Sequence, residues 1–137
     1  MSAPLHILIA DDHEAVRRGL KEVLAEAFPG VGFAEAANGI EVLEQLSASE
    51  YNVLVLDISM PGRSGVDVLR DVKRSYPQMP VVILSVQPED QYAIRCLRAG
   101  ASAYISKDSA PEELVQAIKI ILSTSVTAHS AKAHEIS

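Results

Sequence analysis

Five short apolar runs punctuate the chain, and each is followed by a segment of helical periodicity. No other feature restricts the fold as much. The runs are Leu5–Ala10, Val31–Ala36, Asn52–Leu56, Val81–Leu84 and Ala103–Ile105. Several are continuous rather than alternating, as in Val53-Leu54-Val55-Leu56. A strand reads this way when both of its faces are covered, which is the condition of a parallel sheet. The segments between carry apolar stripes: Val16, Leu20, Val23, Leu24 and Ala27; Ile40, Leu43 and Leu46; Val66, Leu69 and Val72; Ala93, Ile94 and Leu97; Leu114, Ala117, Ile118, Ile121 and Leu122. Breaks fall between them at Phe28-Pro29-Gly30, Met60-Pro61-Gly62, Tyr76-Pro77 and Met79-Pro80. The order is thus β-α five times, which implies right-handed crossovers and helices on both faces of the sheet. A doubly wound sheet and a fragment of an eight-fold barrel both satisfy it. Five units in 137 residues favour a single small doubly wound domain.

Ligands of such sheets sit beyond the carboxyl ends of the strands. There the polar residues sort themselves. Asp11 and Asp12 end the first strand, Asp57 the third and Ser85 the fourth, and Lys107 follows the fifth. With the strands in the order 2-1-3-4-5, the second lies at an edge and contributes nothing comparable. Three carboxylates converging on one rim cannot all stay ionised without a cation. A hard divalent ion with oxygen ligands answers that need, and Mg²⁺ suits a few carboxylates plus a phosphate. A carboxylate can also attack a phosphoryl group to form an acyl phosphate. Such a transfer needs mainly positioning and charge neutralisation, to which Lys107 adds a second cation and Ser85 a hydrogen-bond donor.

Composition removes other classes. Twelve Lys and Arg against eighteen Asp and Glu leave a net charge of −6, so this segment does not itself grip nucleic acid. The single cysteine, Cys96, permits no internal disulfide, suits a reducing compartment and reads as a small buried apolar side chain. No apolar run reaches membrane-spanning length, and the first residues do not read as a signal peptide. A cytoplasmic location is expected. His13, beside the acidic pair, is assigned to the surface, because an imidazole suits Mg²⁺ poorly. Arg17-Arg18 is expected on the solvated face of the first helix.

IADDHE, LVLDISMPGRSG, VVILSV and AGASAYISK, in that order, resemble the receiver domain of bacterial two-component response regulators over about residues 4–124. The resemblance implies a flavodoxin-like (βα)5 fold in which Asp57 accepts phosphate from a sensor histidine kinase or a phosphotransfer protein. It implies Mg²⁺ (or Mn²⁺) held directly by Asp12, Asp57 and the backbone carbonyl of Ser59, with Asp11 acting through a coordinated water. Ser85 and Lys107 would hold the phosphoryl oxygens. Tyr104 matches the aromatic switch position, which turns inward as Ser85 moves. Ser59 and Gln87 stand at positions that influence how water reaches the acyl phosphate. Lys107 is followed by Asp108, not the commoner Pro. Lys-Asp-Ser here, with the early Asp-Asp-His, is similar to the NarL/FixJ subfamily, whose output is usually a LuxR-type helix-turn-helix. That implies dimerisation on phosphorylation and DNA contact only through a further domain absent from this chain. A stand-alone receiver, serving as a relay, sink or protein-interaction switch, is the alternative. A phosphatase of the haloacid-dehalogenase type would need a second Asp where Ser59 stands. Residues 125–137 are expected to be a polar linker or tail, since the apolar pattern stops at Leu122.

Overall fold

A computed structural model of the chain describes residues 5–60, 64–86, 90–107 and 111–136; side chains at 90, 91 and 125–136 lie outside that description. Five strands alternate with five helices: β1 (His6–Ala10), α1 (Glu14–Ala27), β2 (Gly32–Ala36), α2 (Gly39–Ala48), β3 (Val53–Asp57), α3 (Gly65–Ser75), β4 (Val81–Ser85), α4 (Asp90–Arg98), β5 (Ala103–Ser106) and α5 (Pro111–Ile136). The strands form one sheet in the order β2-β1-β3-β4-β5, and every pairing is parallel. This is the doubly wound fold that the alternation predicts.

The two faces of the sheet explain the continuous runs. Along β3, Leu54 and Leu56 enter a core shared with Val42 and Leu46 of α2, Leu69 and Val72 of α3, and Cys96 of α4. Val53 and Val55 point the other way, into a core with Leu24 of α1 and Leu114 and Ile118 of α5. Successive strand residues alternate between faces, so a strand with two cores must be apolar at every position. Each of these β3 side chains is fully buried.

Local chemistry fixes the helix starts. Asn38 Oδ1 accepts from the Glu41 amide at 2.9 Å, and Glu41 Oε1 accepts in return from the Ala37 amide at 2.8 Å. This reciprocal pair satisfies amides that have no partner within α2. Ser64 Oγ accepts from the Asp67 amide at the head of α3. Gly65, next to it, packs so tightly on the chain after β3 that an added Cβ would lie 2.6 Å from Ile58 Cα. Only glycine allows that approach, which seats α3 directly against the end of β3.

Three details differ from the sequence reading. β3 and β4 end on Asp57 and Ser85 as expected, but β1 ends at Ala10, so Asp11 and Asp12 follow that strand rather than end it. On α4, Cys96 is buried as expected, but Ile94 and Leu97 are about half exposed, so the predicted stripe does not face the core as a whole. α5 passes Leu122 and continues to Ile136. The segment beyond Leu122 has no apolar face, but it also has no Gly or Pro to stop a helix already started.

Candidate functional site

The first polar residue after β1 is Asp11, whose amide donates to the Ala36 carbonyl at 3.0 Å and so extends the β1–β2 ladder by one step. Its side chain is 1 % exposed. Oδ1 accepts from the His13 amide at 2.9 Å, an Asx turn that leads into α1. Oδ2 accepts from Lys107 Nζ at 2.9 Å. Asp12 is the more open of the pair, with its side chain 30 % exposed.

Asp57 is also 1 % exposed, held at the end of the central strand β3. Its Oδ1 accepts from both the amide and the hydroxyl of Ser59, each at 3.0 Å. Its Oδ2 lies 3.1 Å from Lys107 Nζ, an ion pair, but this buried oxygen accepts no hydrogen bond. Lys107 therefore bridges two buried carboxylates. Burial disfavours its charge, but the hydrogen bond to Asp11 and the proximity of Asp57 outweigh that, and the ammonium is held above its ordinary value. The Lys107 amide donates to the Ser85 carbonyl at 2.7 Å, which ties the end of β5 to the end of β4. Ser85 itself is buried.

One carboxylate oxygen from each of Asp11, Asp12 and Asp57, with one ring nitrogen of His13, lie within 4.8 Å of one another. Three carboxylates against one ammonium leave two negative charges in a largely buried space. A divalent cation would cancel them, and Asp57, whose Oδ2 accepts no hydrogen bond, has acceptor capacity to spare. The donor set therefore fits a hard or borderline divalent ion.

Asp11, Asp12, Asp57 and Lys107 are thus brought together as the sequence predicts. Ser59 lies beside them, with both of its donors on Asp57. Ser85 stands at the same rim, opposite Ser106 in the β4–β5 register. A cavity of about 420 Å³ opens there, lined by Ser59, Ser64, Ser85, Val86, Tyr92 and Arg95 among others. Tyr104 is further back on β5, partly buried against the core that includes Cys96. Gln87 and Asp108 lie outside the described residues. A larger cavity, of about 860 Å³, lies at the opposite end of the strands, lined by His6, Tyr51 and Pro80 among others, away from the carboxylates.

Arg17 differs from its sequence assignment: it is not on a solvated face with Arg18. Its Nε donates to Glu35 Oε1 at 2.8 Å, and its Nη1 donates to the Asp11 carbonyl. Arg18 is exposed as expected, beside Glu14. His13 is exposed as assigned, and its ring lies over the acidic pair, with Nδ1 in a hydrogen bond with Asp11 Oδ1 at 3.2 Å and 3.1 Å from Asp12 Oδ1.

Known proteins share this arrangement. The family model described as the response regulator receiver domain matches residues 7–119. Response regulator GacA of Pseudomonas viridiflava is 34 % identical over 117 residues, covering 85 % of this chain and 55 % of GacA. Response regulator UvrY of Escherichia coli O157:H7 is 33 % identical over 119 residues, covering 87 % of this chain and 55 % of UvrY. This chain therefore spans about half the length of the curated relatives it matches. Among solved structures, a LuxR-family two-component response regulator from Aurantimonas sp. SI85-9A1 superposes with a TM-score of 0.82 at 32 % identity, covering 89 % of this chain and 87 % of the other. A CheY-like receiver domain protein from Methanospirillum hungatei JF-1 gives 0.84 at 28 % identity, covering 92 % and 99 %.

Proposed function

Since the chain belongs to the response regulator receiver family, we propose that it is a phosphorylation switch whose phosphoacceptor is Asp57. The observation that carries this reading is the buried Asp57 Oδ2, which accepts no hydrogen bond yet lies 3.1 Å from the Lys107 ammonium, in a residue clustered with Asp11 and Asp12. That oxygen attacks the phosphorus of a phosphohistidine on a sensor kinase or phosphotransfer protein. The P–N bond breaks, a P–O bond forms, and the histidine leaves with its electron pair. Asp57 Oδ1 stays oriented by the two Ser59 donors.

Asp12, Asp57 and the Ser59 carbonyl would hold Mg²⁺ or Mn²⁺ directly, with Asp11 acting through a water. The ion supplies charge neutralisation for the incoming phosphoryl oxygens. Lys107, already 3.1 Å from Asp57, needs only a small shift to pair with the new phosphoryl group. Ser85 donates a second hydrogen bond. The cavity beside Ser85 leaves it room to shift toward the phosphoryl group, and Tyr104 would turn inward as it does. Phosphate biases an equilibrium between two states rather than building a new fold. Ser59 and Gln87 govern how readily water reaches the acyl phosphate, and so its self-dephosphorylation. Small phosphodonors would serve in self-phosphorylation.

The output is transcription, through dimerisation and a LuxR-type DNA-binding domain outside this chain. The similarity to a LuxR-family regulator supports this, as does the match to DegU of Brevibacillus brevis, named a transcriptional regulatory protein. The exposed Ile94 and Leu97 on α4, three residues apart and so on one face, offer an apolar surface for such contacts. Among the described residues, no helix is long and apolar enough to cross a membrane, which accords with work in the cytoplasm.

The test is incubation with acetyl phosphate and Mg²⁺, read by intact mass. Wild type should gain one phosphoryl group, lost again on hydroxylamine treatment, and Asp57→Asn should gain none. A wild type that stays unmodified, or a variant modified equally, would rule out Asp57.

A further inference from the structure

We propose that His13 is a ligand of the cation at this site, through Nδ1, and that it favours later divalent ions such as Co²⁺ and Ni²⁺ over Mg²⁺. The inference rests on the acidic cluster being a cation site, as proposed above. Four observations meet at this residue. The His13 amide donates to Asp11 Oδ1 at 2.9 Å, so the backbone fixes where the ring begins. His13 holds the N-cap position of α1 but makes no side-chain capping bond, so the helix does not engage the ring. Its Nδ1 stands 3.2 Å from Asp11 Oδ1 and 3.1 Å from Asp12 Oδ1. Asp57, 1 % exposed, contributes to the same cluster and keeps one oxygen without a hydrogen bond.

Without an ion these distances are a hydrogen bond to Asp11 and a polar contact with Asp12, and the same spacing suits two ligands of one ion. Two donors at right angles on an octahedral ion with bonds of about 2.1 Å lie about 3 Å apart. Nδ1 stands at that separation from an oxygen of each member of the pair. Imidazole nitrogen adds little for Mg²⁺, which prefers oxygen and retained water. It adds considerably for later divalent metals, whose affinity rises through Mn²⁺, Co²⁺ and Ni²⁺. With His13 exposed at the mouth, the ring can close on an ion already held by the carboxylates beneath.

The full chain loaded with Mn²⁺ and studied by pulsed electron paramagnetic resonance tests this. A directly bound imidazole imposes nitrogen modulation on the Mn²⁺ echo, which should be present in wild type and absent in His13→Ala. In calorimetric titrations, His13→Ala should lose at least about tenfold in Ni²⁺ affinity, while Mg²⁺ affinity stays within about threefold. The retained Mg²⁺ binding shows that the variant folds with its carboxylates in place. Mg²⁺ binding by wild type without nitrogen modulation overturns the inference and leaves the switch reading standing. Modulation that persists in His13→Ala also overturns it, because another histidine then supplies the nitrogen. Failure of wild type to bind any divalent ion removes the cation site itself, and the inference with it.

Discussion

Asp57 sits in a pocket that carries two more negative charges than positive ones, and its neighbours do not favour its own charge equally. Ser59 stabilises Oδ1 with two donors, and an amide would keep accepting them through its oxygen. Lys107 would keep Asp11 as a partner at 2.9 Å. Asp57→Asn therefore removes like-charge repulsion while costing little hydrogen bonding. In chelator, the variant is expected to be more stable than wild type by about 1 kcal/mol in urea denaturation. With Mg²⁺ the order should reverse, since wild type gains from binding and the variant gains little. A variant less stable than wild type in chelator would mean that Asp57 is a structural carboxylate. At this scale the sequence was legible where several residues shared one constraint. Asp11, Asp12, Asp57, Ser85 and Lys107 follow from strand ends alone. Arg17 was not legible, because its partners, Glu35 and the Asp11 carbonyl, are set by the β1–β2–α1 geometry and not by helical spacing.

Elements meet through a small number of polar ties, and the one between α1 and β2 has a definite pH signature. Glu35 accepts from Arg17 at 2.8 Å and from Lys21 at 3.0 Å. The Arg17 hydrogen bond first, then that of Lys21, hold its carboxyl below the ordinary value of 4.5 against a smaller cost of burial. A lowered acid contributes stability above its unfolded value, and that stability is lost as pH falls through the folded value. Glu35→Gln should therefore cost stability near pH 7, by under about 1 kcal/mol because the group is partly exposed. The difference from wild type should shrink as pH falls below 4.5 and should weaken in high salt. Denaturant midpoints measured across pH 3 to 7 would check this; a difference that stays constant with pH would mean that the loss is one of shape. Existence and order of the elements were readable, because periodicity of two kinds alternated with clear breaks. Their margins were not. β1 pairs with β2 and β3 only as far as Ala10, so Asp11 lies past the strand although its amide still reaches the Ala36 carbonyl. Apolar content cannot mark where a ladder stops. The stripe on α4 misled for a related reason: periodicity shows that one face is apolar, not that the sheet covers it.

The whole molecule is two cores on either side of one sheet, with the carboxylates at its carboxyl rim, and this was the most legible level. Continuous apolar strands demand helices on both faces, right-handed crossovers follow, and the rim collects what succeeds each strand. The core on the α1 and α5 face draws on α5 at Leu114, Val115, Ala117, Ile118, Ile121 and Leu122. The helix continues to Ile136 as an extension without an apolar face. A helix stabilised by packing needs only its packed turns, and the remainder contributes little more than propensity. The independent folding unit should accordingly be residues 4–124, with 125–137 acting as a spacer toward whatever follows. A chain ended after Thr124 is expected to keep its thermal midpoint within about 3 °C, equivalent to under roughly 1 kcal/mol for a domain of this size. It should also keep its Mg²⁺ affinity, and its far-ultraviolet helical signal should fall only by the residues removed. Ending the chain after Val115 instead deletes Ile118, which is fully buried, together with Ile121 and Leu122. Loss of that much core should cost more than about 4 kcal/mol and abolish cooperative unfolding. A shorter chain that melts well below the parent when only 125–137 are missing would show that the helical extension packs on the domain, and the boundary would move beyond residue 124.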